Sequence, residues 1–118
     1  MNPTESTLID VTQDILDEMV NLIVKAVDPE QIILFGSRSR SDEKRGSDID
    51  LLIIESEPFD KMRSRRKEMA KLWRILSSFR IPKDILIYSR DEVEYWRDSL
   101  NNVVSRALRE GKVLYERS

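Results

Sequence analysis

Asp48 and Asp50 flank Ile49 at the head of an apolar run, DIDLLII, and the pair stands ten residues beyond Gly36-Ser37. Side chains alternate along a strand, so the two aspartates share one face and Ile49 takes the other. Their Cα atoms lie roughly 6.5 Å apart in an extended chain, a spacing at which two carboxylates converge on one cation. Like charges placed side by side cost free energy unless a counter-charge sits between them. Arg or Lys can supply it, but a hard divalent cation takes carboxylate oxygens best. The ordinary alternative is a strand with a polar outer face. Asp is a poor strand former, and two of them around one Ile strain that alternative. Asp84 opens a second apolar run, DILIY, as Asp48 opens the first. If the two strands are neighbours, three carboxylates meet at one end of a sheet.

Gly36 permits a sharp turn and close backbone approach, and Ser37 offers a hydroxyl at the N-cap of a short helix. The free N–H groups of such a start favour an anion, and Arg38 and Arg40 add positive charge. The stretch reads as a small phosphate cradle opposite a metal site. It is not a Walker loop, since no G-x-x-x-x-G-K-[ST] string is present. Together these parts describe phosphoryl or nucleotidyl transfer. One end of a triphosphate rests on the Gly-Ser turn, and its α-phosphate sits at metal held by Asp48 and Asp50. Two metals about 3.5–4 Å apart would stabilise the attacking and leaving oxygens of an in-line displacement. The chain has no histidine and no cysteine. Imidazole bases, imidazole or thiolate metal sites and cysteine nucleophiles are thereby excluded. Any metal must take oxygen ligands, which points to Mg²⁺ or Mn²⁺. General-base work falls to a carboxylate, and Asp84 is the candidate.

These residues need elements to hold them. Between Val11 and Val27, Ile15, Leu16, Met19, Ile23 and Ala26 recur at helical spacing, with a capping box possible from Asp10 to Gln13. Asp28-Pro29 ends that helix. QIILF, residues 31–35, is short and apolar and reads as a buried strand; residues 48–54 are the next strand, followed by a turn over 55–58. Asp60 to Phe79 reads as one long helix with Met62, Met69, Leu72, Trp73 and Leu76 as its core stripe. Pro82 bars continuation, and residues 84–88 form a third strand. Ser89 and Glu92 make a capping box for a helix reaching Trp96. A last helix runs from Val103 to Glu110 with Gly111 as its C′ residue, and residues 113–115 can add an edge strand. The short link between the first two strands makes them antiparallel neighbours, and the long helix before the third permits a parallel crossover. The expectation is an α/β (α+β) fold, a mixed sheet of three or four strands with helices packed on one face.

A length of 118 residues suits one domain spanning residues 1–118. Hydrophobic residues make up 40% and charged residues 36%, a globular composition. The net charge of −2 hides a segregation: residues 1–30 carry seven acids against Lys25, while residues 61–83 carry nine bases against Glu68. The basic segment is either a solvated face or a surface for phosphate or an acidic partner. Nucleic-acid binding is the weaker reading, since Trp73 fits the core stripe. No apolar run approaches the roughly 18 residues of a membrane span, so a cytoplasmic location is the default.

Gly36-Ser37 followed by Asp48-x-Asp50 resembles the signature of the DNA polymerase β nucleotidyltransferase superfamily. The stretch ILFGSRSR…GSDIDLLI resembles the minimal nucleotidyltransferase (MNT) family, and the likeness runs on through the Asp84 strand to the closing REGKVLYE. At Ser41 the chain departs from the pattern, since relatives often carry Gly there. The resemblance implies a polymerase β-like fold, phosphate contacts at Gly36 and Ser37, and Mg²⁺ on Asp48 and Asp50 with Asp84 as third carboxylate. It also implies an antitoxin that transfers AMP from ATP to a hydroxyl, typically tyrosine, of a HEPN-family toxin held in a hetero-oligomer. The short chain fits this picture, because the acceptor must then come from another chain. Two alternatives stay open: an antitoxin that neutralises by binding alone, and nucleotidyl transfer to a small molecule.

Overall fold

The computed structural model describes residues 13–35, 49–100 and 102–118. Among the described residues, four helices and four strands follow in the order α1 (Gln13–Val27), β1 (Gln31–Phe35), β2 (Ile49–Glu55), α2 (Arg65–Ile75), β3 (Lys83–Ser89), α3 (Arg90–Trp96), α4 (Val103–Glu110) and β4 (Lys112–Glu116). The strands form one mixed sheet in the order β3-β2-β1-β4. β1 pairs antiparallel with β2 and with β4, and β2 pairs parallel with β3, as the connection lengths require.

Helices cover both faces of the sheet, not one. The reason lies in β2, whose apolar run buries alternate residues on opposite sides. Ile49, Leu51 and Ile53 pack with Leu16, Met19 and Ile23 of α1 and Leu72 of α2. Leu52 and Ile54 pack with Val93 of α3 and Val104 and Ala107 of α4. A central strand apolar on both faces leaves neither side to water, so each needs its own layer.

Local chemistry sets the ends of the helices. Asp28 takes φ 47°, a left-handed conformation that Asp tolerates better than most residues, and its N–H closes on Val24 O at 3.0 Å. Pro29 then prevents return to the helix. The predicted capping box at Asp10 lies outside the described residues. Ser89 and Glu92 do form the expected capping box at the start of α3.

α2 is shorter than the sequence suggests. Ser64 accepts the Lys67 N–H and caps the helix there, while Asp60 accepts the N–H groups of Met62 and Arg63 in a separate turn. Met62 is consequently 93% exposed, and Trp73 is 39% exposed beneath Lys83, 5.6 Å from its ring centroid. The stripe that reaches the core is Met69, Leu72 and Leu76; Trp73 follows Leu72 by one residue and turns out of it. Gly111 ends α4 in an extended conformation, φ −81°, rather than a left-handed one. Its lack of a side chain serves close approach: a Cβ there would lie 2.4 Å from both Ala107 O and Ile33 Cγ2.

Candidate active site

The parallel ladder between β2 and β3 sets Asp50 directly opposite Asp84. Two features fix that register. α2 returns the chain across one face of the sheet, and Ile49 N–H donates to Pro82 O at 2.9 Å, locking the first rung. Neighbouring strands lie about 4.8 Å apart, so the two aspartates are adjacent and leave the same face of the sheet. That face is the one of Leu52, Ile54, Leu86 and Tyr88, which α3 and α4 cover farther along. Asp50 is half-buried and Asp84 exposed. Phe35, the last residue of β1, pairs with Asp50 on its other side. The chain thus leaves β1 and enters β2 beside these carboxylates.

Lys83 is not the counter-charge of Asp84. Strand alternation sends it to the opposite face, where its Nζ donates to Phe79 O at 2.7 Å and Ile81 O at 3.3 Å. Burial lowers its pKa there.

Of the residues singled out in the sequence, Asp50 and Asp84 are brought together. Gly36, Ser37, Arg38, Arg40 and Asp48 lie outside the described residues. Among the described residues no three acidic, histidine or cysteine side chains form a metal-binding group. Asp50 and Asp84 supply two carboxylates in register, an all-oxygen donor set that fits a hard divalent cation given a third ligand.

A second polar group, read in the sequence as a mere turn, sits at the far end of β2. Glu55 is the last residue of that strand and only 3% exposed. Arg63 Nη2 donates to its Oε1 at 2.7 Å, and Arg63 Nη1 lies 3.6 Å from Glu68 Oε2. The other oxygen, Oε2, is buried with no donor in reach. Burial, reinforced by Glu68 and opposed by Arg63, pushes the Glu55 carboxyl up to about 7. The group borders a cleft of about 590 Å³ also lined by Lys25, Lys71 and Arg117. The only sequence signal for it is an acid closing a run of five buried residues. Arg65 makes a separate brace, donating to Ile87 O at 2.7 Å and to Glu92 at 3.0 Å, and so ties α2 to β3 and the α3 cap. No described helix is long and apolar enough to cross a membrane.

A mixed sheet with paired aspartates at the starts of two adjacent parallel strands is the frame on which a nucleotidyltransferase site can be built. The profile of the family Polymerase beta, Nucleotidyltransferase matches residues 17–118, and the chain belongs to that family. Among solved structures, the fold is shared with a toxin–antitoxin complex containing AMP-PNP, at 22% identity and TM-score 0.52 over 86% of this chain and 74% of that one. It is shared with a candidate nucleotidyltransferase from Sulfolobus solfataricus, at 20% identity and TM-score 0.54 over 86% and 78%. The toxin–antitoxin pair MntA–HepT matches at 19% identity and TM-score 0.51, over 86% and 69%. No curated protein sequence matches the chain.

Proposed function

We propose that the chain transfers a nucleotide, AMP from ATP, to a hydroxyl of a partner protein, and that this partner is a HEPN-family toxin which the modification silences. The carrying observation is the in-register pair Asp50 and Asp84, beside the end of β1 and the start of β2, within a nucleotidyltransferase family. Two of the structures sharing the fold are toxin–antitoxin complexes, one of them with AMP-PNP, which supports both the nucleotide and the partner.

In this reading Gly36 and Ser37 hold the β- and γ-phosphates, with Arg38 and Arg40 balancing their charge. Asp48 and Asp50 would hold Mg²⁺ (or Mn²⁺), which would supply charge neutralisation at the triphosphate. Asp84 is exposed one strand away, where an incoming hydroxyl can reach it. Its carboxylate takes the hydroxyl proton as the oxygen attacks the α-phosphorus. The new P–O bond forms as the bond from the α-phosphorus to the bridging α,β-oxygen breaks, and pyrophosphate leaves. The partner's side chain, most simply a tyrosine, supplies the acceptor oxygen.

The test is to incubate the protein with its toxin and α-labelled ATP. Asp84→Asn should lower transfer on the order of 10²–10⁴-fold, as loss of a general base does. Asp50→Asn should abolish it while leaving the complex intact in gel filtration. Wild-type labelling by either variant refutes the assignment. Full neutralisation of the toxin by an Asp50→Asn/Asp84→Asn variant, without AMP attached, would instead establish an antitoxin that acts by binding.

A further inference from the structure

α1 and α2 lie side by side on one face of the sheet. Each packs back along the strand that follows it, β1 and β3. Those strands point in opposite directions, so the two helices run antiparallel. The start of α1 therefore lies beside the end of α2. Glu18, Asn21, Leu22 and Lys25 accordingly border one cleft together with Ser78 and Phe79.

The outer surfaces of the two helices carry opposite net charge, with Lys25 in the last turn of α1 as that helix's exposed cation. On α1, Asp14, Asp17 and Glu18 are exposed, and none of them forms an ion pair with a described cation. On α2 and the segment after it, Arg66, Lys67, Arg74 and Arg80 are exposed, and no described carboxylate pairs with them. The acid of α2 does not offset this, because Glu68 turns inward to Arg63. Two apolar side chains, Leu22 at 37% exposed and Trp73 at 39%, remain partly uncovered on the same two helices.

We propose that this helix layer is a self-complementary docking surface for a second copy of the chain. A two-fold axis parallel to the helices and passing between them lays α1 of one copy over α2 of the other. Because α1 starts where α2 ends, that operation brings Asp17 and Glu18 of each copy onto Arg74 and Arg80 of the other. Leu22 and Trp73 occupy the middle. The contact is isologous, so each charge match occurs twice. An RNA strand would use only the basic half and would meet the acidic half of α1 as repulsion; a second copy uses both. The helices are about 22 and 16 Å long and each about 10 Å wide, which gives a small interface. Such an interface belongs to the weak, transient class, and its charge pairs should make it sensitive to salt. This inference concerns the face of the sheet opposite Asp50 and Asp84 and is independent of the catalytic reading.

Sedimentation velocity of the full chain, without toxin or nucleotide, tests it. At low salt the wild type should show a monomer–dimer equilibrium with Kd on the order of 10 μM, weakened about tenfold at about 0.5 M salt. Arg74→Glu/Arg80→Glu and Asp17→Lys/Glu18→Lys should each be monomeric, because each places like charges in register at both contacts. An equimolar mixture of the two variants should dimerise again, and so should one chain carrying all four changes. All positions are exposed, and circular dichroism confirms that the variants fold. A wild type that stays monomeric at about 100 μM overturns the proposal. So does a mixture that fails to pair. Binding of a labelled single-stranded RNA that is lost with Arg74→Glu/Arg80→Glu, with no dimer in any sample, would reassign the face to nucleic acid.

Discussion

Glu55 offers the sharpest test of the physical reading, because the chain has no histidine to titrate in the same range. Its carboxyl is 3% exposed, one oxygen is bound to Arg63, and the other is buried without a donor. The charged groups around it are Arg63 and Glu68, with Glu57 beside Arg63 and Lys25, Lys71 and Arg117 lining the adjoining cleft. Burial and Glu68 raise its folded-state pKa from 4.5 to about 7. The folded protein therefore holds this proton more tightly than the unfolded chain. The stabilisation is complete below pH 4.5 and is lost as pH rises through about 7. Each pKa unit corresponds to about 1.4 kcal/mol, which sets a ceiling of about 3 kcal/mol for the whole shift. The shift already includes the opposing pull of Arg63, so a change of about 1–3 kcal/mol, up to that ceiling, is expected. Glu55→Gln keeps the shape, still accepts from Arg63, and can donate from its amide to Glu68. Urea unfolding of both proteins from pH 5 to pH 8 should show the smallest difference at pH 5 and a variant that gains on the wild type with rising pH, to about 1–3 kcal/mol at pH 8. That gain is worth about 4 °C in Tm per kcal/mol. Glu30 and Glu92, whose pKa values are lowered by Arg90 and Arg65, titrate below this window and cancel in the comparison. A difference that stays flat with pH, or a variant less stable at pH 8, refutes the reasoning.

Two packing predictions accompany those on nucleotide transfer and dimerisation. Gly111→Ala should cost about 1–3 kcal/mol in urea unfolding, since its Cβ would meet Ala107 O and Ile33 Cγ2 at 2.4 Å. A neutral Gly111→Ala would show that α4 and β1 have slack that the packing denies. Leu72→Ala should cost about 2–5 kcal/mol, because Leu72 is wholly buried. Trp73→Ala should cost less than Leu72→Ala, although Trp is the larger side chain; the reverse order would place Trp73 in the core after all.

Much of the scaffold is legible in short stretches. QIILF and DIDLLII are too short and too apolar to be anything but buried strands, and both appear within one residue of expectation. Ser89 with Glu92 announces a helix start because capping is satisfied by residues three apart. The long helix from Asp60 is misjudged because Asp60 closes a separate turn on the Met62 and Arg63 N–H groups and the helix starts only where Ser64 accepts the Lys67 N–H, a local capping choice that apolar periodicity does not register. Trp73 is misplaced for a related reason: it stands next to Leu72, and periodicity alone does not say which of two adjacent apolar residues faces the sheet.

By itself, the sequence determined the chemical vocabulary of this protein. It contains no imidazole and no thiol, and it places aspartates at the starts of two apolar strands. That leaves oxygen ligands for any metal and puts carboxylates, the acidic groups heading those strands, at the place where a base is needed. Only the tertiary structure decided which aspartates are neighbours. Asp50 and Asp84 are 34 residues apart in the chain and meet through the parallel register that α2 imposes on β2 and β3. Tertiary structure likewise gave β2 a helix layer on each face and turned Glu55 from a turn residue into a buried acid. Composition and periodicity are local properties. Register, burial and the field around a carboxyl depend on residues far along the chain, and those appear only once the sheet is assembled.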